Sequence, residues 1–180
     1  MTSINNKLLI ENIYTNIVKT SRNKSFFLDF NVDDTVEGRF DIIILHSFIV
    51  FNFFIHINDR KSSLPQMLFD HMFHDFDSSL REMGFGDIAV NKRMKQFIKA
   101  FYGRIKNYSE SLFRFNKLAD DTLLKKTILR NIYKDREIQS EYIDFWSDYI
   151  ISNVNEINAK TLQENTNQFF IFKIKNDYGK

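Results

Sequence analysis

Apolar residues in this chain recur every three or four positions far more often than every two, and that period predicts helices almost throughout. Leu9, Ile13, Ile17 and Val18 line one side of a helix over residues 4–20. The stretch "SRNKSFFLDFNV" has no clear period and reads as a packed connector. At "DTVEGRF", Asp34 is placed to cap a helix and Glu37 stands three residues on, as a capping box requires. The run Phe40–Ile57 that follows has 13 apolar residues among 18. Its length invites a membrane-spanning reading. Asp41, Asn52 and His56 share one narrow stripe of it, however, which predicts the central, mostly buried helix of a bundle.

"SSLPQ" marks the next start: Ser63 caps, Gln66 reaches back, and Pro65 lies in the first turn, where its missing N–H costs nothing. Leu68, Phe69, Met72, Phe73, Phe76, Leu80 and Met83 form the apolar face of that helix. Its stop is "MGFGD". Gly84 falls where a left-handed residue is wanted, Phe85 folds back on Leu80, Gly86 frees the turn, and Asp87 caps the next helix. A dinucleotide-binding loop needs a preceding strand and a third glycine, and neither is present. The reading is a helical hairpin around Gly84–Asp87. Its second arm runs from Ile88 to about Asn116 on a seam of Met94, Phe97, Ile98, Phe101, Ile105, Tyr108, Leu112 and Phe115.

After a break at "LADDT", a helix from Thr122 to about Tyr133 starts on Asp121, and another around Tyr142–Asn155 packs through Phe145, Trp146, Tyr149 and Ile150. The tail "QFFIFKIK" reads equally as a short strand or an extended segment. No repeat or low-complexity linker divides the chain. The expected fold class is therefore all-α, a single-domain helical bundle of about six helices over residues 1–180, with a central apolar helix.

Composition narrows the chemistry. Cysteine is absent, so disulfides, thiol catalysis and thiolate metal sites are excluded. A net charge of +2 is too small to announce a nucleic-acid or membrane partner by itself. Twenty phenylalanines in a chain rich in Asn, Ile and Lys match an AT-rich genome and read mostly as core filling. The opening "MTSINNKLLIENIYTNIVKT" has neither a basic start with an apolar h-region nor an arginine-rich presequence pattern, so the expected location is a bacterial cytoplasm.

His71 and His74, spaced i, i+3 beside Asp70, Asp75 and Asp77, are the one metal-like cluster. On a helical wheel both histidines leave the apolar side, and no Glu-x-x-His motif accompanies them, so a solvated face is expected and no metal or other cofactor. No G-x-S-x-G motif presents a nucleophile, and His46 reads as a hydrogen-bonded core histidine. No catalytic constellation is found, and a non-enzyme is expected. Charge is more telling. Asp87–Tyr108 carries Lys92, Arg93, Lys95, Lys99, Arg104 and Lys106 against one acid, a net +5 that leaves −3 for the remainder. Gly103 sits among those lysines, where a mid-helix glycine costs about 1 kcal/mol relative to alanine. Either a helix of the same domain crosses closely there or a partner does, which makes a basic docking face with Gly103 as its flat spot.

Several stretches together resemble the ubiquinol–cytochrome c chaperone family, assembly factors of the respiratory cytochrome bc complex. They are "DTVEGRFD" (34–41) running into "LH" (45–46), "LFD" (68–70), "DFDSSLREMG" (75–84), "GDIAVNKRMK" (86–95), "AFYGR" (100–104) and "RNIY" (130–133). The resemblance covers a core of about residues 20–135, leaving the helices and tail of 136–180 outside it. Asn31 and Asp33 depart from the glycine and proline expected there, and Ala89 and Asn91 from glycines after "GD".

The resemblance implies a non-enzymatic chaperone that holds newly made cytochrome b for assembly of ubiquinol–cytochrome c reductase. Mitochondrial relatives act with a small second subunit beside the ribosomal exit tunnel. For this chain the second subunit, the ribosome contact and a peripheral contact at the inner face of the membrane stay open. Lys92, Arg93, Lys95, Lys99, Tyr102, Gly103 and Arg104 are the candidate partner-binding residues. Arg39, Glu82 and Asp87 are expected to hold the fold through caps and buried pairs, with Asp34, Gly38, Phe40, Gly84 and Gly86 completing the structural motif. Two rival readings are a general helical adaptor on RNA, ribosome or anionic membrane surfaces, and a metal-dependent bundle enzyme.

Overall fold

A 21-residue helix, α3 (Val36–His56), forms the axis on which the other helices pack. In this computed structural model, which describes residues 3–57, 62–167 and 170–174, the remaining helices are α1 (Ser3–Ser21), α2 (Lys24–Leu28), α4 (Leu64–Glu82), α5 (Asp87–Leu118), α6 (Thr122–Tyr133), α7 (Ser140–Asn158) and α8 (Leu162–Asn167). Six are long, as the periodicity predicts, and the two short ones lie in the connector and ahead of the tail. α3 touches α1, α5, α6 and α7, while the outer helices meet in the order α1–α4–α5–α6–α7. By length and composition α3 could cross a membrane, yet 72% of its most apolar window is buried in the protein's own core. Burying that surface among neighbours removes the need for a bilayer.

The α4–α5 hairpin stops as expected. Gly84 has φ +87°, the Phe85 N–H donates to the Leu80 carbonyl (3.2 Å) and the Gly84 N–H to that of Arg81 (2.9 Å), the paired bonds of a Schellman stop. The helix starts differ from expectation. Thr35, not Asp34, caps α3 by accepting the Gly38 N–H at 3.1 Å, and Asp34 instead pairs with Arg39 at 2.6 Å on the surface. Ser63 precedes α4 in a helical conformation and makes no capping bond, and Gln66 donates to Asp70 rather than back toward the cap. Gly86 occupies the cap position of α5. Asp87 is its first residue, favourable at the positive helix end, and is ion-paired to Arg81. For α6, Asp120 rather than Asp121 accepts the Thr122 N–H.

Gly38 and Asn31 show why the entry to α3 has its sequence. A Cβ on Gly38 would lie 1.9 Å from the Asp33 carbonyl oxygen, so only glycine fits. Asn31 has φ +54°, a left-handed conformation that asparagine tolerates, which accounts for its standing where glycine was expected. Asp33, in the expected proline position, pairs with Arg136 at 3.1 Å. The tail forms no strand among the described residues. Phe170 and Phe172 are buried, and the Asn153 side chain takes the place of a neighbouring strand by accepting the Lys173 N–H (2.8 Å) and donating to its carbonyl (3.1 Å).

Two buried polar groups tie the bundle together. Asp41 of α3, 2% exposed, receives Arg104 of α5 at 2.5 Å and Lys134, which a left-handed backbone at the end of α6 turns inward. Burial pushes the Asp41 carboxyl up, and the two cations work against that. His46 is fully buried at the junction of α1, α3, α7 and the tail. Its Nδ1 lies 2.8 Å from the Ile42 carbonyl and 3.0 Å from Ser21 Oγ, its Nε2 lies 2.7 Å from the Tyr149 hydroxyl, and Phe172 stacks edge-on against it.

Two outcomes follow from these groups. Arg104→Met leaves the buried carboxylate half-compensated and lowers stability by about 3 kcal/mol in denaturant unfolding, while adding Asp41→Asn recovers part of the loss. His46 is pulled by burial from its ordinary value of 6.5 down to about 4, so between those limits the unfolded chain binds more protons than the folded one. Stability is therefore complete above pH 6.5 and falls as pH drops through that window, by about 2 kcal/mol by pH ~5. Thermal unfolding across this range shows the slope in the native protein, and His46→Gln flattens it.

Candidate functional site

The predicted binding residues all lie on α5, whose 32 residues make a rod about 48 Å long. α5 keeps one face on α3, α4 and α6 through Val90, Phe97, Phe101, Tyr108 and Leu112, all buried. Phe40 of α3 stacks on Phe97 (centroids 4.0 Å apart) and meets Phe76 of α4 edge-on, which fixes how the two arms of the hairpin sit against the axis. The opposite face is left to solvent.

That geometry divides the seven candidates. Lys92, Lys95 and Lys99 are exposed and enter no ion pair among the described residues. Tyr102 is 59% exposed, with its ring tilted 5.6 Å from Phe69. Gly103 is exposed, and a Cβ there would meet nothing within 4 Å. No helix among the described residues crosses at Gly103, so a close internal crossing does not explain the glycine. Arg104 and Arg93 are corrections. Arg104 turns inward to Asp41 with its side chain only 18% exposed. Arg93 bridges to Glu37 at 2.7 Å and lies 4.6 Å over the Phe85 ring, tying α5 to the first turn of α3. Both hold α5 in place instead of facing outward.

The expected structural residues need correcting as well. Arg39 and Asp87 form surface pairs, not buried ones, and Glu82 is exposed at the last turn of α4. Met83, expected on the apolar face of α4, is 58% exposed. The sequence reading also missed what lies on either side of the lysines. Ile88, Lys92, Lys95, Lys99, Tyr102, Lys106, Glu110, Phe113 and Lys117 follow one another at steps of three or four, form one stripe, and are all exposed. The sequence period already places Lys92, Lys95, Lys99 and Lys106 on one stripe, but it does not single out Ile88, Glu110, Phe113 and Lys117 as the continuation of that stripe.

Other chemistry finds little footing. His71 packs half-buried against Tyr14, its ring edge-on at 5.2 Å, and His74 is exposed. No group of three or more His, Asp or Glu among the described residues could hold a metal ion. Ser21, His46 and Tyr149 form a chain that looks like a nucleophile, base and orienting group. The Ile42 carbonyl, an acceptor only, places the proton on Nδ1, so the Tyr149 hydroxyl must donate to Nε2. Nδ1 then has no lone pair to take the Ser21 proton, and the chain is a structural network rather than a catalytic one.

No curated protein matches the chain. A solved structure, described as the Cbp3 homolog from Brucella abortus, is 28% identical and superposes with a TM-score of 0.74, covering 95% of this chain and 91% of that one. The family profile described as Ubiquinol-cytochrome C chaperone matches residues 28–164, so the chain belongs to the ubiquinol–cytochrome c chaperone family.

Proposed function

We propose that this protein is a non-enzymatic assembly chaperone for ubiquinol–cytochrome c reductase, that its client is newly made cytochrome b, and that it works in the bacterial cytoplasm at the inner face of the membrane. Family membership supports the chaperone role in assembling that complex. The observation that carries the choice of surface is the outward face of α5, where Lys92, Lys95 and Lys99 enter no ion pair among the described residues and Tyr102 and Gly103 offer a flat, partly apolar contact. A multi-span client shows apolar surface next to charged loops, and a surface holding both kinds of group can meet it. Holding such a client needs no bond to be made or broken, only a face that releases when native partners compete for it.

Depleting the protein should lower cytochrome b, measured by immunoblot and reduced haem spectra, while an unrelated membrane oxidase subunit stays level. A parallel loss of both would sink the client assignment. Replacing Lys92, Lys95 and Lys99 together by Glu should reduce co-purification of cytochrome b from detergent extracts by about tenfold or more, with helical content unchanged. Gly103→Ala tests the flat spot separately. It should raise stability by up to about 1 kcal/mol, because the added methyl meets only solvent, and it should weaken client capture. Capture that is intact in a stabilised Gly103→Ala protein would remove Gly103 from the interface.

A further inference from the structure

The outer stripe of α5 extends well beyond the lysines assigned to the client. From Ile88 to Lys117 it spans about 44 Å along a single uninterrupted helix. Five lysines (Lys92, Lys95, Lys99, Lys106 and Lys117) face outward along it against one acid, Glu110, which pairs with Lys106 at 3.7 Å. Between them stand large apolar side chains that the fold leaves in water: Ile88 is 88% exposed, Tyr102 59% and Phe113 69%. Ile55, 66% exposed at the end of α3, lines the same surface hollow as Phe113 and widens the apolar patch at that end. Tyr102 tilts against Phe69, yet more than half of each of these side chains stands in water, where apolar surface is unfavourable.

We infer that this stripe docks along the surface of an anionic lipid bilayer. The helix is unbroken, and a stripe with apolar tips near its start, middle and end can lie along a plane. Lysines alternating with isolated apolar anchors match a headgroup layer in both its properties, negative charge outside and hydrocarbon just below. Gly103, beside Tyr102, adds no side chain to hold the helix off that plane. A folded protein partner or an RNA would serve the lysines equally well, but would give Ile88 and Phe113, about 38 Å apart along the helix, no common apolar layer to enter. The inference rests on the chaperone reading only for why a membrane is met at all, since the proposed client is a membrane protein. It makes α5 a surface that lies on the bilayer where that client emerges.

The test uses the intact protein and client-free vesicles, so its result is independent of cytochrome b. Sedimentation with vesicles of phosphatidylglycerol and phosphatidylcholine is compared with pure phosphatidylcholine at low and high salt. Binding is expected only to the anionic vesicles and should weaken as salt rises. It should be lost on replacing Lys92, Lys95 and Lys99 by Gln, and fall about tenfold in a protein carrying Ile88→Ser and Phe113→Ser, with circular dichroism unchanged in both variants. Failure to sediment with anionic vesicles at low salt overturns the inference. So does binding that survives Ile88→Ser and Phe113→Ser undiminished, because charge alone would then suffice. Client capture in detergent, which contains no bilayer, keeps or loses the chaperone reading on its own terms.

Discussion

Asp41 is a carboxylate shut away from water, and meeting its charge fixes how three helices lie. An unpaired ionised group in that position would be too costly to keep, so Arg104 from α5 and Lys134 from the end of α6 must both arrive. Arg104 can arrive only if α5 runs past the first turns of α3 at one depth and rotation, and Lys134 only if α6 ends where it does. Apolar packing alone would accept several registers of α5 on α3, because one phenylalanine replaces another at little loss. A buried ion pair does not. Its contribution here is to select an arrangement, and that arrangement decides which side of α5 faces water.

The parts of this fold that were legible in the sequence are those decided within a few residues. The stop at Gly84 depends on its own φ and on bonds to Leu80 and Arg81, and so it read correctly. The helices themselves follow from apolar spacing, which Phe73, Phe76, Phe97 and Phe101 keep without error. Helix starts were less legible because neighbouring polar residues compete for the same N–H groups. Thr35 wins over Asp34 since Arg39 holds the aspartate, and Asp120 wins over Asp121, which bonds Lys125 at 2.9 Å instead. In each case a side-chain ion pair decides, and a capping pattern does not include it.

The candidate site was legible in part for the same reason. Lys92, Lys95 and Lys99 read correctly as outward-facing because helical period alone places them. Arg93 and Arg104 did not, because their direction depends on Glu37 and Asp41, more than fifty residues earlier in the chain. Arg104 sits beside Gly103 and five residues from Lys99, and nothing local distinguishes a guanidinium bound for the core from an ammonium bound for solvent.

The basic excess of α5 thus separates into two populations with different physical roles. Two of its arginines, Arg93 and Arg104, are used toward α3, where a planar guanidinium that gives up water readily can serve a carboxylate at a helix–helix seam. Arg114, near the far end of α5, and Arg39, Arg81 and Arg136 elsewhere are each committed to an aspartate nearer the surface. The lysines of the outer stripe remain, apart from Lys106, without acidic partners among the described residues. A hydrated ammonium on a flexible stem is poorly suited to fixing one geometry and well suited to meeting a diffuse or changing array of anions. That is what a surface needs if it must hold a partner briefly and then release it. With the arginines fixing the orientation of α5, the lysines and the exposed Ile88, Tyr102 and Phe113 can be spent on contact outside the molecule, so the face can bind without any part of the fold having to rearrange.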